Sequence, residues 1–137
     1  ENARIESFPS SVEFAMFFLG LYPRLFDKEP QTELFAFLAG PNCGFCTNAL
    51  AGSAETVAAG AYSIGSEFAF DADSARGGLQ EDGYWYVGLE FETTPAITFS
   101  SDGAQIDDAP ASSGEVRLRL NWAGDHWVVD EIDFDFA

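Results

Sequence analysis

EVRLRLNWAGDHWVVDEIDFDF, residues 115–136, decides the fold. Val116, Leu118, Leu120 and Trp122 alternate with Glu115, Arg117, Arg119 and Asn121. Beyond Ala123-Gly124-Asp125, Val128, Ile132, Phe134 and Phe136 oppose Glu131, Asp133 and Asp135. Successive side chains of a strand point to opposite faces, so a period of two sorts apolar groups to a core face and charges to a wet one. Two such runs joined by a short glycine-containing turn predict a hairpin of an antiparallel sheet.

The same period extends toward the N-terminus. In YWYVGLEFETT, residues 84–94, Trp85, Val87, Leu89 and Phe91 oppose Tyr84, Tyr86, Glu90 and Glu92. In AYSIGSEFAF, residues 61–70, Tyr62, Ile64, Phe68 and Phe70 share one parity, which predicts a single strand. DADSARGGLQEDG (71–83) and SSDGAQIDDAPASSG (100–114) are small, polar and acidic, and are predicted loops at the sheet ends.

Before residue 61 the period is helical. Ser10 and Glu13 have the spacing of a capping box, and Phe14, Phe17, Phe18, Leu21 and Leu25 follow at helical intervals. Pro23 lacks an amide hydrogen and should kink or end that helix. A second short helix fits PQTELFAFLA (30–39), with Pro30 early and Leu34, Phe35 and Leu38 as its apolar stripe. A third is predicted from an Asn42 cap to Gly60, a natural residue just past a helix end. The plan is α+β: three N-terminal helices packed on the apolar face of a curved antiparallel sheet of about four strands.

A chain of 137 residues is one domain by size. With 47% hydrophobic residues and 14 phenylalanines it can bury a core. Six Lys and Arg face 23 Asp and Glu, a net charge of −17, which repels phosphate backbones and argues against nucleic acid as a partner. The most apolar run, FAMFFLGLYPRLF (14–26), is too short for a membrane span and contains Pro23 and Arg24. Residues 1–6 are polar and acidic and carry no signal-peptide pattern, which fits a mature or trimmed chain.

PNCGFC, residues 41–46, holds both cysteines. Three readings compete. Structural zinc needs about four N or S ligands, and Cys43, Cys46 and the distant His126 fall short. A redox Cys-x-x-C at a helix start has its thiolate favoured by the helix dipole, but thioredoxin-like motifs follow a strand, and here LFAFLAG reads as helix. The remaining reading is a structural disulfide fixing the turn between two helices, which implies an oxidising compartment. No glycine-rich phosphate cradle, serine elbow or two-histidine metal motif appears, so the sequence calls for no cofactor.

An aromatic helix (Phe14 to Leu25), a short helix (Leu34 to Leu38), Gly40-Pro41-Asn42-Cys43-Gly44-Phe45-Cys46, Ala58-Ala59-Gly60 and a final Trp127-to-Phe134 strand together resemble secreted actinobacterial lipoproteins of unknown function. The resemblance implies a nuclear transport factor 2-like (SnoaL-like) cone, a Cys43–Cys46 disulfide and a lipid anchor upstream of Glu1. Some relatives of that cone are enzymes that set a carboxylate or histidine beside a tyrosine inside the cavity. Candidates by type are Tyr84, Tyr86, Asp130 and His126, with Tyr62 and Trp122 as further cavity-lining residues. Trp85, Trp122 and Trp127 also serve a core. Asp130 shares parity with Val128 and Ile132, so an inward carboxylate with a raised pKa competes with the plainer reading of a solvated strand-end cap. His126 beside Asp125 reads as a surface histidine.

The expectation is a non-catalytic extracytoplasmic domain that binds a ligand or protein at the cell envelope. The alternatives are a small-molecule isomerase or cyclase using the cone cavity, and a thiol–disulfide oxidoreductase acting through Cys43 and Cys46.

Overall fold

A computed structural model describes residues 5–137. The polar N-terminal stretch up to residue 4 lies outside the described residues. Helix α1 spans Phe8–Gly20 and is capped by Ser7, whose Oγ accepts the Ser10 amide at 3.3 Å. The cap is thus three residues earlier than the Ser10–Glu13 spacing predicts, because Pro9 suits a first helical turn that needs no amide donor there. Ser10 is buried instead. Its hydroxyl donates to the Ile5 carbonyl and accepts the indole N–H of Trp127 at 3.1 Å. After Gly20 the chain tightens into a 3₁₀ turn, Tyr22–Phe26, with Pro23 in its first turn, so the proline ends the helix as expected.

Helix α2 is shorter than predicted, Glu33–Leu38, and starts beyond Pro30. Six residues offer one inward edge, Phe35 and Leu38. Leu34, expected in the stripe, is exposed, as is Phe37. Helix α3, Gly44–Ala58, is capped by Cys43 rather than Asn42: the Cys43 Sγ accepts the Cys46 amide at 3.1 Å. It closes at Gly60 with φ of +72°; the Gly60 amide donates to Val57 and that of Ala61 to Thr56, a paired arrangement that satisfies the last carbonyls.

Seven strands follow: β1 (Tyr62–Gly65), β2 (Phe68–Leu79), β3 (Trp85–Thr93), β4 (Ala96–Phe99), β5 (Gln105–Ala109), β6 (Ser112–Trp122) and β7 (Trp127–Phe136). The four-stranded sheet has the order β2-β3-β6-β7 and the three-stranded one β1-β4-β5, all pairs antiparallel. The second sheet and two stretches of strand depart from the sequence reading. Most of 71–83 belongs to β2, where residues 72–75 bulge out between Asp71, opposite Glu90, and Arg76, opposite Gly88. The predicted loop 100–114 contains β5 and the start of β6.

The two sheets are one sheet bent at a corner. Gly65 faces Ala96 and Phe68 faces Thr93; Ala109 faces Ala96 and Ser112 faces Thr93. Equal steps on both partners mean that the register passes unbroken through 66–67, 94–95 and 110–111. Pro95 and Pro110 stand at this corner, and the Thr94 amide still donates to Glu67 across it. Gly65 has φ of +109°, and a Cβ there would sit 2.0 Å from the Pro95 carbonyl oxygen. With Ser66 also at positive φ, +57°, the alternation resets. Phe68 and Phe70 join the core, whereas Ile64 is 62% exposed, so residues 61–70 do not form one strand with one apolar face.

A second reset occurs in β7. Arg119 pairs with Glu131 and Leu120 with Val129, which leaves Asp130 as the extra residue of a bulge. Trp127 and Val129 face the core before the bulge and Ile132 after it, so the single parity predicted from Val128 to Phe136 is broken. The helices cover the inner face. Phe18 stacks on Phe35 at 4.5 Å, Phe14 on Trp127 at 6.5 Å, and Leu19, Leu89, Leu118 and Leu120 fill the layer between.

Candidate functional site

Cys43 and Cys46 form a disulfide, and both are essentially inaccessible, at 0% and 1% exposure. Around them α2, α3 and β7 meet. The Gly40 amide donates to the Val129 carbonyl at 2.7 Å, an approach so close that a Cβ on Gly40 would lie 2.6 Å from that oxygen. Glu131 Oε1 accepts the Gly44 amide at 3.1 Å, a carboxylate on the positive end of α3. The motif follows α2 and a single bridge from Ala39 to Val129, with no parallel sheet before it among the described residues. Among the described residues no group of three His, Cys, Asp or Glu side chains is placed to hold a metal ion.

The residues predicted to line one cavity lie in three places. Trp122 stays on the core side, edge-on to Trp127 at 4.9 Å. Tyr62 lies on the β1-β4-β5 flap, stacked on Phe99 at 5.3 Å with the Lys28 ammonium 5.4 Å above its ring. Tyr84, Tyr86 and Asp130 gather round Arg119 on the face of the main sheet away from the helices. Arg119 Nε donates to Asp130 at 2.5 Å, and the guanidinium lies 5.1 Å over the Tyr84 ring. Asp130 is therefore neither a loop cap nor an inward acid; the bulge turns it to Arg119. The Tyr86 hydroxyl donates to Asp82 at 2.7 Å. That bond is the main cause holding the Asp82 carboxyl below its usual value and the Tyr86 phenol above its own. Both shifts point away from neutrality, so this pair fixes the β2–β3 turn rather than trading a proton near pH 7. His126 contacts Asp125 at 2.6 Å and stacks on Phe37, on the surface as predicted.

The outer face of the main sheet is ordered by charge. Asp71, Glu90, Glu115 and Asp135 stand directly opposite one another, a row of carboxylates across all four strands. The next row brings Arg76 and Arg117: Arg76 crosses above Gly88 to pair with Glu115, which also accepts from Arg117 at 3.1 Å. An open groove of about 710 Å³ lies along these rows, lined by Asp71, Arg76, Glu90, Glu92, Gly114 and Glu115.

The flap differs from the rest of the surface. Ile64 and Ile97 are direct cross-strand partners, 62% and 38% exposed, and Ile106 on β5 is 59% exposed. Ser63 and Thr98 occupy the other face, joined by a 2.8 Å hydrogen bond. That face closes a cavity of about 130 Å³ over the 3₁₀ turn, with Tyr22, Pro23, Phe26, Ser63, Gly65 and Ala96 in its wall. Burial raises the pKa of the Tyr22 phenol.

No family profile and no curated protein sequence matches the chain. Solved structures do. The intermembrane space region of the chloroplast protein ARC6 superposes with a TM-score of 0.65 at 14% identity, covering 93% of this chain and 95% of that one. Aln2 from a Streptomyces species, a SnoaL-like protein, superposes with a TM-score of 0.51 at 17% identity, covering 92% and 89%. The fold is a nuclear transport factor 2-like cone.

In this cone the flap is the part that sequence periodicity missed. AITF and QIDDA are too short to show a period, and the acidic residues of β5 gave it the composition of a loop. Ile106, one large apolar residue among acids, was the available signal.

Proposed function

We propose that this cone is a non-catalytic extracytoplasmic domain, of the kind found in lipid-anchored envelope proteins, that binds a partner through its surface. The observation that carries the reading is the filled interior. Phe14, Phe18, Phe35, Leu118 and Trp127 occupy the space in which an enzyme of this fold would hold a substrate. The small cavity over the 3₁₀ turn, at about 130 Å³, is well below the ~300 Å³ at which ligand pockets begin. Buried sulfurs in a disulfide suit a staple in an oxidising compartment better than a thiol exchanger, whose sulfur must be attacked from solvent.

Thermal-shift and tryptophan-fluorescence titrations with apolar ring compounds test the reading. Trp85, Trp122 and Trp127 form one cluster beside the core and report any entry into it. No shift is expected. A saturable Tm increase with quenched tryptophan emission would restore the enzyme alternative. Insulin reduction by the native protein, abolished by Cys46→Ser, would restore the oxidoreductase one.

A further inference from the structure

We infer that the free edge of β5 is a docking site for an extended, cationic segment of a partner protein, added as a fourth strand to the β1-β4-β5 flap. The inference rests on the partner-binding reading above and names its surface.

Three observations converge on this edge. The first is its accessibility. β5 pairs with β4 on one side, and all five of its residues are exposed. The other edges of the main sheet are obstructed: β7 is covered by Ala39 and Gly40, and β2 is interrupted by its four-residue bulge. An edge strand with unpaired amides and carbonyls is a template for another strand.

The second is the shape of the approach. The sheet register is continuous from β6 through Pro110 into β5, and β7 runs beside β6 only as far as Phe136, opposite Gly114. The slot beside β5 is therefore in line with β7. At its mouth lies a cavity of about 420 Å³ bordered by Thr93, Ala111, Ser112 and the 61% exposed Phe136. A strand entering there would set one face against Ile106, next to the exposed Ile97 and Ile64. Apolar side chains at alternate positions would cover them.

The third is charge, which selects the occupant. Asp107 and Asp108 lie on opposite faces of β5, with Asp102 in the preceding turn, and no ion pair reaches any of them among the described residues. A second copy of the chain would bring the same aspartates and another −17 charge to the same edge. Like charges directly opposite in a sheet are unfavourable, whereas Lys or Arg on the incoming strand meets Asp107 on one face and Asp108 on the other.

The test uses the full chain and a fluorescent peptide alternating Lys and Val, with an alternating Glu–Val peptide as control. Binding of the Lys peptide is expected, weakened by salt, together with new amide protection at Gln105–Ala109 in hydrogen exchange. Asp107→Lys with Asp108→Lys should weaken binding by about tenfold or more, and so should Ile106→Asp. Glu29→Lys with Glu55→Lys makes the same charge change on the helical side and should leave binding intact. Equal loss in that control would mean diffuse charge attraction and overturn the inference. Protection mapped to another surface would also overturn it while leaving the partner-binding reading in place. A dimer in sedimentation that protects β5 would replace the cationic partner with a second copy. No binding of the Lys peptide would remove the site.

Discussion

Ser10 joins three parts of the molecule through one hydroxyl, giving to the Ile5 carbonyl and accepting from Trp127. Ser10→Ala leaves the buried indole N–H without its acceptor, and a loss of about 1–3 kcal/mol is expected. Urea denaturation followed by near-ultraviolet circular dichroism of the tryptophan cluster would measure it; an unchanged midpoint would show that water replaces the hydroxyl. Tyr22 makes a prediction about pH. Its folded pKa is raised by burial, so its contribution is complete below the unfolded value of about 10 and is lost as pH rises through the folded value. Tm should fall above about pH 10 and fall less steeply in Tyr22→Phe. Some slope should persist, because the Tyr86 phenol is raised as well. Individual roles of this kind were only partly legible in the sequence. Ser10 was visible as a cap candidate, but its true partner is 117 positions away.

Helices and strands are held to one another by a few close contacts. The disulfide joins residues three apart and closes a very small loop, for which the chain-entropy model gives only about 2 kcal/mol. Reduced and oxidised protein should differ by that amount in urea melts, and the native disulfide should resist mild reductant until the chain unfolds, because both sulfurs are buried. The corner of the bent sheet is more sensitive. Gly65→Ala combines a positive φ with a Cβ pressed on the Pro95 carbonyl, and on the order of 2 kcal/mol or more is expected. Hydrogen exchange should show the loss first in β1 and β4. Where the period runs for eight residues or more, as in β3 and β6, sequence and structure agree nearly to the residue. Where a bulge or corner resets the alternation, at 66–67, 72–75 and Asp130, the parity argument assigns the wrong face. A one-residue insertion moves every later side chain to the opposite side.

Across the whole molecule, charge is the dominant surface property. The row Asp71, Glu90, Glu115 and Asp135 places like charges opposite one another on every pair of neighbouring strands. Tm should therefore rise with NaCl, since screening weakens repulsion between exposed charges. Glu90→Lys should convert two repulsive neighbours into attractive ones, raise stability by about 0.5 kcal/mol and flatten the salt dependence. A Tm that ignores both would show that the row is already relaxed by Arg76 and Arg117. The α+β class, the antiparallel sheet, the helix-first order and the acidic exterior followed from local period and composition, because each is a property of neighbours along the chain. The bend of the sheet, the free edge of β5, the filled cone and the scattering of Tyr62, Tyr86, Trp122 and Asp130 followed only from tertiary structure. Those depend on which strands pair and where the register slips, and pairing joins residues far apart in the chain whose local patterns carry no record of one another.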